Sequence, residues 1–276
     1  MEINNLSYSY NSSKKVLKNI NMKIQEGKIT GILGTSGSGK TTLLKLISGI
    51  LDIQEGNIKT NDIIIDKSNK IANYTDFRVN ICLIPQNSRE SFSNLKIKDE
   101  LKFILKYKKL KNIEIDKKCS DALKLVGLND SYLDKRIEEL NESEIRKVAI
   151  ASGLILNPKI LLLDEPTIGL DNLSKKNLII LLRKLITRFN KTIIIVSNDG
   201  EFLHKIVNYL YVLDKGKLVL DGDKYEVFTH DKLLDYGIEP PNIIKFEKLV
   251  KEKKNIKLGY RDEINDLIKD IYRNAR

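Results

Sequence analysis

Eight consecutive residues, Gly34-Thr35-Ser36-Gly37-Ser38-Gly39-Lys40-Thr41, fit G-x-x-x-x-G-K-[ST] at every fixed position. Glycines at these spacings let successive backbone N–H groups turn inward as an anion nest. A helix that starts there adds the positive end of its dipole. The chemistry this implies is the cradling of a triphosphate. Lys40 is expected to reach the β- and γ-phosphates and Thr41 to offer its hydroxyl to Mg2+. Thr42 completes the nucleotide-binding run. A second constellation, Ile160-Leu161-Leu162-Leu163-Asp164-Glu165, ends an apolar run in two carboxylates. A strand buried on both faces delivers such residues to its carboxyl end, where open α/β sheets bind ligands. Asp164 can hold Mg2+ through water, and Glu165 is the candidate to polarise an attacking water. The alternative use of such a carboxylate is a helix N-cap; beside a phosphate loop the catalytic use is preferred.

The elements that must position these residues are legible in outline. KITGIL (28–33) reads as a strand, followed at once by the glycines and then by a helical TTLLKLISGI. Strand, Gly-rich loop and helix is the context a phosphate loop needs. Short strands are expected over 2–8 and 19–25, joined by a polar turn at Asn11-Ser12-Ser13, and a sheet-like stretch over roughly 57–84. Helical spacing covers 97–110, 114–126 with Gly127 as a stop, 142–156 and 172–189. KTIIIVS (191–197) is a second buried strand. Strands at 209–213 and 217–221 flank Lys215-Gly216 as a hairpin. Strands alternating with helices predict an α/β fold with a largely parallel core sheet.

Composition sets bounds. The chain has 276 residues, 41% of them hydrophobic and 31% charged, enough for a sizeable core and too apolar for disorder. Two Cys and two His exclude a disulfide framework and leave little for a His/Cys metal site. Cys82 and Cys119 read as ordinary thiols of a reducing compartment. No stretch approaches the roughly 18 apolar residues of a membrane span, and the first residues lack a signal-peptide pattern. Work at a membrane would therefore need other chains to hold this one there. The net charge of +11 is spread among acids, as in KLVKEKKNIKLGYRDEIND, and reads as a solvated surface. A nucleic-acid partner is not expected.

On these motifs the sequence resembles the ATP-binding subunits of ABC transporters, P-loop NTPases, over nearly its whole length. Asp164-Glu165-Pro166-Thr167-Ile168-Gly169-Leu170-Asp171 is similar to the family's joined Walker B and D-loop, which brings Asp171 to the nucleotide interface. Gln86, after ICLIP, stands where the family has its Q-loop glutamine, a contact of Mg2+ and a marker of where the transmembrane partner docks. Tyr10 matches the aromatic that stacks on adenine; Tyr8, two residues away and expected on the same side, is the alternative. The ending, Asp221-Gly222-Asp223-Lys224-Tyr225-Glu226-Val227-Phe228 and then LLDYGIEPPNI, is similar to the C-terminal extension of energy-coupling-factor transporter ATPases. The resemblance implies ATP and Mg2+, a second ATPase subunit, a membrane T subunit, an S subunit that binds a vitamin or transition-metal ion, and a peripheral place on the cytoplasmic face. The expected organisation is an ATPase domain over 1–220, with an α/β lobe (1–86 and 155–220, including an antiparallel β part) and a helical lobe (87–154). An extension, 221–276, is expected to contact the partner ATPase through apolar residues such as Ile243, Ile244, Phe246 and Leu249; the alternative is a helix packed on its own domain.

Two places depart from that family. Its signature, usually LSGGQ, is donated to the partner's nucleotide; the matching stretch here is Leu140-Asn141-Glu142-Ser143-Glu144, 24 residues before Asp164. Asn141 can still hydrogen-bond. Glu142 and Glu144 add negative charge, and like charges at 4 Å repel by about 4 kcal/mol at an effective dielectric near 20. The alternative is that both acids serve the first turn of a helix. The second departure is Asn198, where the family has a histidine that contacts the γ-phosphate. Asparagine can hydrogen-bond but cannot carry a proton. His204, six residues on, reads as a surface histidine. The two changes fall on different composite sites, which predicts a heterodimer with this chain as the less active half. Two other functions compete: a nucleotide-binding regulatory subunit with little hydrolysis, and a soluble ABC ATPase outside transport. The latter usually has two fused halves or an inserted arm, and this chain has one phosphate loop.

Overall fold

The computed structural model describes residues 1–11, 14–60, 63–69, 75–106, 111–254, 259, 261 and 264–274. Parts of five expectations lie outside these residues: Ser12 and Ser13 of the first turn, 61–62 and 70–74 of the 57–84 stretch, 107–110 of the helix over 97–110, 255–258, 260 and 262–263 of the charged tail, and 275–276 of the extension. In chain order come β1 (Glu2–Tyr8), β2 (Leu17–Lys23), β3 (Ile29–Leu33), α1 (Lys40–Ile47), β4 (Glu55–Thr60), β5 (Ile63–Ile65), α2 (Thr75–Asn80) and β6 (Ile81–Ile84). Then follow α3 (Ile97–Leu105), α4 (Asn112–Leu125), α5 (Glu142–Leu154), β7 (Ile160–Asp164), α6 (Asn172–Phe189), β8 (Thr192–Ser197), α7 (Gly200–Ile206), β9 (Tyr209–Asp214) and β10 (Lys217–Asp223). The described chain ends with α8 (Lys224–Phe228), α9 (Asn242–Lys254) and α10 (Ile264–Asn274).

The described residues form two sheets. One is antiparallel, in the order β2-β1-β4-β5; the other runs β10-β9-β3-β8-β7-β6. The second is parallel from β9 to β6, with β10 hairpinned antiparallel on its edge. This is the α/β architecture the alternation of elements indicates. Each central strand is apolar on both faces because both faces are covered. Ile193 and Ile195 of β8 join one core, with α5, α6 and the helices that precede them. Ile194 and Val196 join the other, beneath α1 and the antiparallel sheet. Leu161 and Leu163 of β7 divide from Leu162 in the same way. Register then decides function: Leu33 pairs with Ser197 and Asp164 with Val196. The loop after β3 and the carboxylates after β7 therefore emerge at one edge.

Three expectations change. The 57–84 stretch is not all sheet-like: α2 interrupts it and carries Phe77 into the second core. His204 is not on the surface. It is 1% exposed, its ring 5.7 Å from that of Phe228, because α8 closes over α7. Tyr10 does not end the strand that Tyr8 is on: β1 ends at Tyr8, which is buried, and Tyr10 lies beyond it, exposed, with the two rings meeting edge to face at 5.1 Å. Both cysteines are free thiols, and burial pushes Cys82 up to about 12 and Cys119 up to about 11. Among the described residues no helix is long and apolar enough to cross a membrane.

Candidate active site

The loop after β3 and the start of α1 enclose a cavity of about 330 Å³, lined among others by Ser36, Gly37, Gly39, Lys40, Thr41, Thr42, Gln86, Glu165 and Asn198. Gly39 precedes α1 at φ 110°, a conformation that glycine adopts without strain. At Gly34 a Cβ would lie 2.4 Å from the Leu213 carbonyl, so the loop can pass there only without a side chain. Lys40 is 7% exposed and folds back under the loop. Its Nζ donates to the Gly34 and Thr35 carbonyls at 2.8 and 3.0 Å and pairs with Glu165 Oε1 at 3.2 Å. The other oxygen of Glu165 accepts from Ser197 Oγ at 2.9 Å and from the Asn198 N–H at 3.1 Å. Glu165 itself stands at φ 44°, its N–H bonded to the Val196 carbonyl.

Asp164 is 3% exposed, and its Oδ1 has no hydrogen-bond partner among the described residues. Burial pushes its carboxyl above the ordinary range, a hydrogen bond with Thr41 pulls the other way, and the neighbouring charge of Glu165 raises it again. An orphaned carboxylate oxygen beside the Thr41 hydroxyl suits a hard cation such as Mg2+. No three His, Cys, Asp or Glu side chains gather as a metal site among the described residues. Phosphate oxygens would have to complete that cation's shell.

The stretch 141–144 lies on another cavity, about 960 Å³, which it lines with Gly169, Asp171, Ser174 and Lys147. Neither Lys40 nor Asp164 borders it. Asn141 is the N-cap of α5: Glu144 N–H donates to its Oδ1 and Glu144 Oε2 accepts from its N–H, both at 3.0 Å. The Tyr132 hydroxyl donates to Glu144 Oε1 at 2.5 Å and holds that carboxyl below its usual range. Glu142 pairs with Arg89 Nε at 3.2 Å, while Arg89 also donates to the Leu140 carbonyl. Both acids therefore have local work, Glu144 as the cap partner and Glu142 as the anchor of an arginine.

Residues 17–168 match the family described as ABC transporter. The chain belongs to the ABC transporter ATPases. It is 33% identical over 259 residues to the energy-coupling factor transporter ATP-binding protein EcfA2 of Clostridium tetani, covering 92% of this chain and 89% of that one. The structure of cbiO1 from Clostridium perfringens, described as part of the ABC transporter complex cbiONQ, superposes with a TM-score of 0.76 at 29% identity, over 91% of this chain and 94% of that one. The ATP-binding cassette MJ0796, solved as a dimer in a post-hydrolysis state with ADP and Pi, superposes with a TM-score of 0.70 at 27% identity, over 81% and 98%.

For an ABC ATPase, the cavity over the phosphate loop gathers Lys40, Thr41, Thr42 and Glu165 with Gln86 and Asn198, while Gly34 and Thr35 line a neighbouring cavity and Asp164 lines neither. Tyr10 stands beside the rim of the first, with its hydroxyl 3.2 Å from Thr42 Oγ1. Asp171 lies elsewhere, on the cavity of 141–144, as the N-cap of α6, accepting from the Ser174 N–H at 2.7 Å. Sequence reasoning missed three residues. Ser197 and the two arginines, Arg89 and Arg146, belong to no motif. Arg146, 5% exposed, donates to the Pro85 and Gln86 carbonyls at 2.9 Å and to Ser88 Oγ at 2.8 Å. A basic residue four places into an otherwise apolar helical face was the only available signal.

Proposed function

We propose that this chain is the ATP-binding subunit of an energy-coupling-factor type importer, one half of an ATPase dimer on the cytoplasmic face of the membrane. Its T and S subunits would carry a vitamin or a transition-metal ion. The observation that carries this reading is the separation of the two cavities. Lys40, Thr41 and Thr42 of the phosphate loop, with Gln86, Glu165 and Asn198, line one, and residues 141–144 with Asp171 line the other. One chain so built offers two half-sites, and a second chain, facing it head to tail, completes both.

In this reading Tyr10 stacks on adenine and the amides of 34–42 cradle the phosphates. Thr41, Gln86 and Asp164 would hold Mg2+, which would supply neutralisation of phosphate charge. Phosphate oxygens compete with Glu165 for Lys40, which leaves the Glu165 carboxylate able to take a proton from water. Asn198 meets the γ-phosphate as a neutral hydrogen-bonding group. The less regular stretch 141–144 serves the partner's nucleotide. Its charge is partly countered by Arg89 and the α5 cap, which supports a weakened rather than a repellent contact. A homodimer would carry both departures in both sites. We therefore favour a heterodimer with a more regular ATPase.

Affinity capture of the tagged chain from native membranes is expected to bring a second ATPase and a T subunit. Lys40→Ala is expected to lose at least tenfold in nucleotide affinity; unchanged affinity would reject the site. Turnover by the isolated chain equal to that of its complex would reject the less active half. Unchanged transport with Glu165→Gln would favour the regulatory subunit.

A further inference from the structure

Ser197 ends β8 with no exposed surface. Its Oγ donates to Glu165 Oε2 at 2.9 Å and accepts from the Asp199 N–H at 3.1 Å. A hydroxyl has a single hydrogen. With a main-chain N–H aimed at its lone pair, that hydrogen is left for the carboxylate. Asp199 is fixed in turn, by Lys175 Nζ on Oδ2 at 2.6 Å and the Phe202 N–H on Oδ1 at 2.9 Å. The second donor to Glu165 Oε2, the N–H of Asn198, is main chain and does not depend on which side chain stands at 198. Glu165 has a left-handed backbone, a conformation that persists only where the surroundings enforce it.

We propose that Ser197 is the positioning residue of the hydrolytic site. It aims the Glu165 carboxylate from behind, a holding role that does not depend on the side chain at 198. The chain Lys175, Asp199, Ser197, Glu165 is a continuous set of hydrogen bonds running from α6 to the catalytic edge. This rests on the reading of Glu165 as the group that polarises water.

The test is steady-state phosphate release from Mg-ATP by the chain assembled with its partner ATPase, with nucleotide binding measured separately. Ser197→Ala is expected to lower kcat about tenfold while KM and nucleotide affinity stay within about twofold. Ser197→Thr, which restores the hydroxyl, is expected to recover most of the rate. In a Glu165→Gln background Ser197→Ala is expected to add no further loss, since the group it aims is gone. A crystal structure of Ser197→Ala serves even if turnover is too slow to measure; the Glu165 carboxylate is expected to leave the Asn198 amide. A Ser197→Ala protein with full kcat beside an inactive Glu165→Gln, an equal loss in the Glu165→Gln background, or an unmoved carboxylate overturns the proposal alone. A fully active Glu165→Gln removes the reading of Glu165 as well.

Discussion

Asp164 places a carboxyl where water barely reaches, one of its oxygens bonded to nothing among the described residues. Such a group favours cation binding at the expense of the fold. Asp164→Asn is therefore expected to raise the melting temperature of the nucleotide-free protein by about 2–4 °C, roughly 1 kcal/mol. The same change is expected to abolish the extra stabilisation that Mg-ATP gives. The sign with pH follows from the raised folded-state carboxyl. Above that value the wild type bears the full penalty of the buried charge. As pH falls from there toward the unfolded value of about 3.9, the folded state takes up the proton first and the penalty fades. The advantage of Asp164→Asn should shrink over that window, and thermal melts as a function of pH check it.

At the scale of elements, two arginines tie the segment after β6 to the start of α5. Arg146 reaches from inside α5 to three acceptors around Gln86, and Arg89 reaches back to Leu140 and Glu142. The segment that carries Gln86 is thus fastened to the stretch 141–144. Arg146 is buried, so Arg146→Leu strands the Pro85 and Gln86 carbonyls. Its expected cost is roughly 3 kcal/mol in urea unfolding. Arg89 and Glu142 are a half-exposed pair, so Arg89→Ala should cost under about 1 kcal/mol. Its effect is expected instead in the ATPase rate of the assembled complex, which should fall as Glu142 is left uncountered. An unaltered rate with an unaltered melt would leave the arginine no role.

Across the whole molecule the C-terminal extension is divided against itself. Phe228, Leu233, Ile243, Ile244 and Leu267 are buried in the same core as β7 and β8, while Phe246 and Leu249 remain 41% and 49% exposed. Half of the apolar set expected to meet a partner is therefore spent on the chain's own domain. Ile244→Asp is expected to lower stability by about 3 kcal/mol or more, because it buries an unpaired charge. Leu249→Asp should leave the melting temperature within about 2 °C. If the exposed half is the dimer contact, it should weaken association with the second ATPase, which sedimentation of the complex would measure.

The phosphate loop, the paired carboxylates and the parallel order of the core strands were readable from residues alone. Each is a local device: glycines where amides must converge, and an apolar run where both faces are covered. Helix 172–189 was legible to its ends because its amphipathic period is long and Asp171 caps it. Direction and partnership were not legible. Nothing in Glu144 says that it turns back to cap α5, or in His204 that Phe228, 24 residues on, covers it. Ser197 meets Glu165 only because β7 and β8 are neighbours in register. Sequence carries the chemistry of single residues and the period of single elements; the hydrogen bonds that aim those residues join chain segments that only packing brings together.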